Sequence, residues 1–113
     1  MTRIVVLAIA AAVFSTTAAQ AQGSAQIERG MKVYEAERCS VCHAIAGKGN
    51  ARGALDDAGS KLSTDEIRQW LVDAPGMAAK TKATRKPVMR SYPKLSQEDL
   101  DALVAYMASL KKK

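Results

Sequence analysis

The residues best suited to chemistry lie in one pentapeptide, Cys39-Ser40-Val41-Cys42-His43. It holds both cysteines and the one histidine of the 113-residue chain. Cys-x-x-Cys-His is the attachment pattern of c-type haem. Thiols at this spacing can add to the two vinyl groups of haem, and the adjacent imidazole then lies under the iron as its proximal ligand. The pattern predicts one covalently bound haem c, held by Cys39, Cys42 and His43.

Three other kinds of site use cysteines at this spacing. A thioredoxin-like dithiol needs a βαβ setting, and no strand pattern precedes Cys39. A structural zinc site needs four ligands, and the sequence has no further Cys or His to supply the fourth. A local disulfide needs only an oxidising compartment, so the spacing alone leaves it open.

A second ligand to the iron is expected from the C-terminal half, because the lone histidine is already used. Met31 and Met107 fall on the apolar stripes of predicted helices, and we assign both to the core. Met77 and Met89 lie in a stretch without apolar periodicity. Met89 is the preferred ligand, since Pro87 stiffens a segment that runs just before a helix, and Met77 is the alternative.

The elements that must position these residues are predicted to be helices joined by loops. A first helix is expected over residues 24–38. A second begins at the capping box that starts at Ser63 and ends at Pro75-Gly76. A third begins at Ser96 and carries an apolar stripe up to Leu110. With no alternating strand of useful length, the fold class is all-α, with three or four helices.

The N-terminus has the layout of a secretory signal peptide. Arg3 precedes an apolar run from Ile4 to Val13, and Ala19-Gln20-Ala21 supplies small residues for cleavage after Ala21. A retained anchor is the alternative, but the run is about half of the ~20 residues that a membrane span needs. We expect residues 1–21 to be removed. Residues 22–113 would then form one periplasmic domain with no stable membrane insertion.

The charge pattern suggests a class of partner. The chain has a formal net charge of +6, and residues 74–97 contain six Lys and Arg but no Asp or Glu. This basic segment surrounds Met89 and could dock redox proteins with acidic surfaces. A merely solubilising surface is the alternative. Nucleic acid is excluded as a partner by the expected export.

Residues 27–111 resemble a small bacterial class I cytochrome c. Gly30-x-x-x-Tyr34 is similar to the family's first helix, and Leu103 to Met107 is similar to its last helix, whose aromatic packs where the two helices cross. The segment Met89 to Pro93 resembles the one that carries the family's axial methionine. The resemblance implies a fold wrapped around one haem, with His43 and Met89 as its ligands.

One departure from the family concerns the loop after the pentapeptide. The family often has Gly-Pro-x-Leu there, and the proline carbonyl orients the proximal histidine. This chain has Gly53-Ala54-Leu55, so we expect the carbonyl of Ala54 to bind His43. The family also often uses an aromatic to line the haem crevice. Trp70 could therefore either pack in the core or reach a haem propionate.

Six-coordinate iron with His and Met ligands has no open position for a substrate, so we expect a monomeric electron carrier and not an enzyme. Two alternatives stay open. One is a dedicated cytochrome subunit of a periplasmic oxidoreductase, such as a sulfur-compound or alcohol dehydrogenase. The other is a gas-binding or peroxidatic haem protein, which would require Met89 to be absent from the iron.

Overall fold

A computed structural model describes residues 15–112, and the side chains of residues 23–112. This part of the chain forms five α-helices: α1 (Ser15–Ala36), α2 (Ala58–Lys61), α3 (Thr64–Val72), α4 (Ala74–Thr81) and α5 (Gln97–Ser109). Between α1 and α2, the two-residue strands β1 (Ala44–Ile45) and β2 (Lys48–Gly49) pair antiparallel, with 3-10 turns at Cys39–Val41 and Ala51–Gly53 on either side. The predicted all-α class is confirmed.

The predicted signal peptide falls mostly outside this description. Residues 1–14 lie outside the described residues, and α1 begins at Ser15 and continues through Ala21. Cleavage after Ala21 therefore stays a prediction. Among the helices of residues 15–112, none is long and apolar enough to cross a membrane.

The largest helix contact joins α1 to α5. Gly30 is buried there, and a Cβ at this position would overlap the carbonyl oxygen of Ala102 and the Cβ of Tyr106. Beside this crossing, the rings of Tyr34 and Tyr106 meet edge to face, with centroids 6.0 Å apart and planes at 87°, an arrangement that aromatic pairs favour. The packing of Tyr106 at the helix crossing, which the family resemblance implied, is confirmed.

Polar contacts fix the ends of the packed helices. Arg29 on α1 forms ion pairs with Glu98 at 2.9 Å and Asp99 at 2.8 Å, in the first turn of α5. Ser96 caps α5 by accepting a hydrogen bond from the backbone N–H of Asp99 at 3.1 Å, and the predicted capping box at Ser63 is present at the start of α3. The expected starts of α3 and α5 are confirmed.

Helix α4 was not expected from the sequence. Pro75 lies in the first turn of α4, where its missing N–H has no partner to lose. The Asp73 side chain caps this helix by accepting from the N–H of Gly76 at 3.1 Å. The prediction that Pro75-Gly76 ends a helix is therefore wrong, since α3 ends before it and a new helix starts there. Met77 consequently lies buried in α4 and not in a loop.

The buried stripe of α1 also differs from the predicted one. Met31 is 44% exposed, so its assignment to the core is wrong, whereas Val33 is buried. Val33 and Tyr34 are three and four residues after Gly30, so they share its helix face, while Met31 is rotated away from it. The core combines residues of α1, α3 and α5: Val33, Tyr34, Ile67, Leu71, Leu100, Leu103, Val104 and Met107.

Candidate functional site

A cavity of about 710 Å³ lies next to this core. Side chains of α1, α3 and α5, the pentapeptide and residues 83–92 line it, and most of them are apolar. The volume is within the range of small-molecule and cofactor sites, roughly 300–1,000 Å³. The fold thus brings the predicted chemical groups of distant segments to the wall of a single chamber.

The pentapeptide begins with a tight turn that faces all three of its reactive side chains toward this chamber. The N–H of His43 donates to the carbonyl of Cys39 at 2.9 Å, and Cys39, Cys42 and His43 all line the cavity. Both thiols are free. Burial raises the pKa of the Cys39 thiol to about 11. Redox dithiols instead depend on a thiol with a depressed pKa, so the site differs from a thioredoxin-like one.

The ring of His43 is fixed by a backbone carbonyl. Its Nδ1 donates a hydrogen bond to the carbonyl oxygen of Gly53 at 2.9 Å, which leaves the Nε2 lone pair free to bind a metal. Burial lowers the pKa of His43, and a lowered pKa favours the neutral imidazole that metals require.

The prediction that Ala54 supplies this carbonyl is wrong. Ala54 instead forms a β-bridge with Ala44. In the family pattern Gly-Pro-x-Leu, proline lies two residues before leucine, and the residue two before Leu55 is Gly53. Aligning the pattern on the leucine, and not on the glycine, identifies the correct carbonyl.

Asn50 binds three backbone carbonyls of the pentapeptide, a role that the sequence did not predict. Its backbone N–H donates to the carbonyls of His43 at 2.9 Å and Ser40 at 3.2 Å. Its side chain donates to the carbonyl of Val41 at 3.3 Å. Asn50 thus satisfies backbone groups of a turn that has no regular partner strand. A lone asparagine in a glycine-rich loop gave no signal for this role.

The methionines separate clearly by position. Met89 and Met107 line the cavity, whereas Met77 does not. Met107 is also buried in the core, as predicted. The segment that carries Met89 is held on its C-terminal side, because the N–H of Tyr92 donates to the carbonyl of Leu71 at 2.8 Å. The structure brings His43 and Met89 to the same cavity.

Several further groups around the cavity suit a haem. The buried hydroxyl of Tyr34 has no hydrogen-bond partner among the described residues, and an unsatisfied buried donor costs about 1–3 kcal/mol. A cofactor with polar edges could remove that cost. Arg38, Arg85 and Arg90 also line the cavity and offer cations for carboxylates. Apolar walls, paired thiols, an imidazole and a thioether complete a donor set that fits haem.

Trp70 is half-buried and lines the cavity. Its position is compatible with packing against the cofactor and with an indole N–H that reaches a propionate. Both interpretations of Trp70 therefore stay open.

Comparison with known proteins gives a family match and one distant relative. Residues 27–111 match the family model described as cytochrome c. Over 92 residues the chain is 34% identical to cytochrome c oxidase subunit 2 of Alkalihalophilus pseudofirmus. That match covers 74% of this chain but 25% of the relative, so the chain spans about a quarter of that protein's length. No solved structure matches the chain.

Proposed function

The chain belongs to the cytochrome c family, and we propose that it is a periplasmic one-electron carrier whose haem iron is bound by His43 and Met89. Members of this family bind haem c covalently, and Cys39, Cys42 and His43 form the attachment motif in this chain. The observation that carries the proposal is the single cavity that both His43 and Met89 line.

The proposed role of each residue follows from its surroundings. Haem supplies a one-electron Fe(III)/Fe(II) couple. Gly53 fixes the imidazole of His43 through Nδ1, and the backbone bond of Tyr92 holds the segment of Met89. A neutral thioether and apolar walls disfavour the additional positive charge of the ferric state, so they raise the reduction potential. Two protein ligands leave no coordination site for a substrate, which suits a carrier.

Voltammetry combined with carbon monoxide binding tests electron carriage. We expect one reversible one-electron wave and no change in the ferrous spectrum on adding carbon monoxide, because His43 and Met89 would already hold the iron. Rapid binding of carbon monoxide by the wild-type protein, or turnover of peroxide, would instead place the protein in the gas-binding or peroxidatic class.

The proposed docking surface combines apolar and basic residues near the cavity. Val41 and Val88 line the cavity while remaining 61% and 46% exposed. The cations of residues 74–97 form no salt bridge within residues 15–112, where the ion pairs involve Arg29 and Arg68. Two of these cations, Arg85 and Arg90, line the cavity together with Val41 and Val88, and cations that form no ion pair favour partners with acidic surfaces.

Electron transfer from an acidic donor should therefore depend on ionic strength. Reduction by a negatively charged flavodoxin, followed by stopped flow, should slow as salt rises toward 0.1 M, where the Debye length is about 10 Å. The Lys82→Gln/Lys86→Gln variant should react on the order of three- to tenfold more slowly at low salt. The Lys32→Gln/Lys61→Gln variant has the same net charge as the Lys82→Gln/Lys86→Gln variant, but it should react as fast as the wild type. Equal rates for the two double variants would assign these cations to solubility alone.

A second candidate is a dedicated cytochrome subunit of a periplasmic oxidoreductase. The similarity to part of a protein named as an oxidase subunit favours it, since this chain matches about a quarter of that subunit's length. Size-exclusion chromatography of the native protein distinguishes the two. A carrier elutes alone as a monomer, and a subunit elutes with a catalytic chain.

A further inference from the structure

Arg85 joins two segments that are far apart in the sequence. It lies in the exposed stretch between α4 and Met89, and its Nη2 donates to the carbonyl oxygen of Cys42. Its guanidinium also lies directly against Gly53, because a Cβ there would overlap both the guanidinium and the Cys42 carbonyl. Arg85 therefore contacts the residue before His43 and the residue that fixes the His43 ring.

We propose that Arg85 is a positioning residue that tethers the Met89 segment to the haem-attachment turn. The inference rests on the proposed ligation by Met89. Arg85 contacts Gly53, whose carbonyl binds the His43 ring, and its own backbone leads into Met89. This one side chain would therefore keep the two proposed iron ligands in a fixed position relative to each other.

The hydrogen bonds around Met89 show why this tether matters. On the C-terminal side, the N–H of Tyr92 donates to the carbonyl of Leu71 in α3 at 2.8 Å. The hydroxyl of Ser91 accepts a hydrogen bond from the N–H of Ala74 in α4 at 3.0 Å. On the N-terminal side, the N–H of Ala83 still bonds the end of α4 at 2.9 Å. Among the hydrogen bonds of residues 15–112, the one from Arg85 to the Cys42 carbonyl is the only one that joins residues 84–88 to the rest of the chain.

The chemistry of arginine suits this task. A guanidinium offers five donors in a rigid plane, so Arg85 can donate to the Cys42 carbonyl while lying against Gly53. Loss of the bond frees the stretch that leads into Met89, and local opening then exposes the iron to other ligands.

Imidazole binding to the ferric holoprotein measures that opening. Imidazole must displace the Met89 sulfur, so its binding constant reports how easily the segment lifts. We expect Arg85→Gln to raise the imidazole affinity about tenfold, which corresponds to about 1.4 kcal/mol. The matched control, Lys86→Gln, removes the same charge from the adjacent residue and should leave the affinity within about twofold of the wild type. The far-red charge-transfer band of ferric Met–S ligation should disappear as imidazole binds, so its loss measures the binding.

The outcomes distinguish the tether from the ligation on which it rests. If Arg85→Gln and Lys86→Gln bind imidazole equally well while the wild type shows the far-red band, the tether is overturned and Met89 ligation stands. If the wild type lacks the band, both are overturned. Circular dichroism of each holoprotein verifies that the variants are folded, and a folded Arg85→Gln protein that keeps its band without imidazole supports a role in positioning and not in general folding.

Discussion

The Cys39→Ala/Cys42→Ala variant, expressed in a host that matures c-type cytochromes, should have the mass of its amino acids alone. Both thiols line the cavity and provide the two sulfurs that thioether attachment requires. Any haem that remains bound should be extracted by acidified butanone, whereas the haem of the wild type should stay with the polypeptide. Intact-protein mass spectrometry and the extraction give independent readings of the covalent bond.

The same variant should also lose most of its folded structure when haem is removed. Without haem, the mostly apolar walls of the cavity of about 710 Å³ lose the contacts that keep them from water. Apolar burial is the main favourable contribution to a net stability of only about 5–15 kcal/mol in a typical domain. Water entering the cavity would meet mostly apolar walls. We therefore expect far-ultraviolet circular dichroism to show a large loss of helix.

Ser40→Ala is the matched control for this prediction. Ser40 lies between the two cysteines, is exposed, and makes no side-chain hydrogen bond in the described part of the chain. The control should keep the covalent haem and the yield of the wild type. Detection of a haem adduct on the double-alanine chain would contradict attachment through Cys39 and Cys42.

Met89→Leu should abolish the far-red band of the ferric protein and lower its reduction potential. Leucine conserves most of the volume and the apolar character of methionine but has no sulfur to bind iron. The drop should be on the order of 100 mV, a part of the ~0.8 V range that axial ligands set in haem proteins. The ferrous variant should also bind carbon monoxide, because one axial position is now open.

Two other methionines provide the controls for this change. Met107 lines the same cavity from α5, and Met77 is buried in α4 away from it. Met107→Leu and Met77→Leu should both retain the band, with changes in stability of about 1 kcal/mol. A band that survives in Met89→Leu but disappears in Met107→Leu would identify Met107 of α5, and not Met89, as the iron ligand.

Local chemistry explains what the sequence could predict. The pentapeptide is a contiguous motif, and the starts of α3 and α5 are encoded by serines whose side chains cap them. Such signals depend on neighbours within about one helical turn, so they can be read without the fold. The crossing of α1 and α5 was implied by the family resemblance, since Gly30 permits the close approach of the two backbones.

The failures have equally physical causes. Pro75 is compatible with either the end of one helix or the first turn of the next, and the cap by Asp73 decides between them. Ala54 pairs with Ala44 in a β-bridge, and the carbonyl that binds His43 comes from Gly53. Which of these two neighbours faces His43 depends on that bridge, and the local sequence does not encode it. The contact of Arg85 with Cys42 spans 43 positions. No periodicity or local motif encodes such a pair.

The packing of α1 against α5 has a consequence for the order of events during biosynthesis. These helices stand at opposite ends of the domain's sequence, so the entropic cost of loop closure must be met before their contact forms. A growing polypeptide that stops short of α5 cannot cover the apolar face of α1. The helix that comes last in the sequence therefore completes the packing of the first, and the cavity wall that both helices line is finished in the same step.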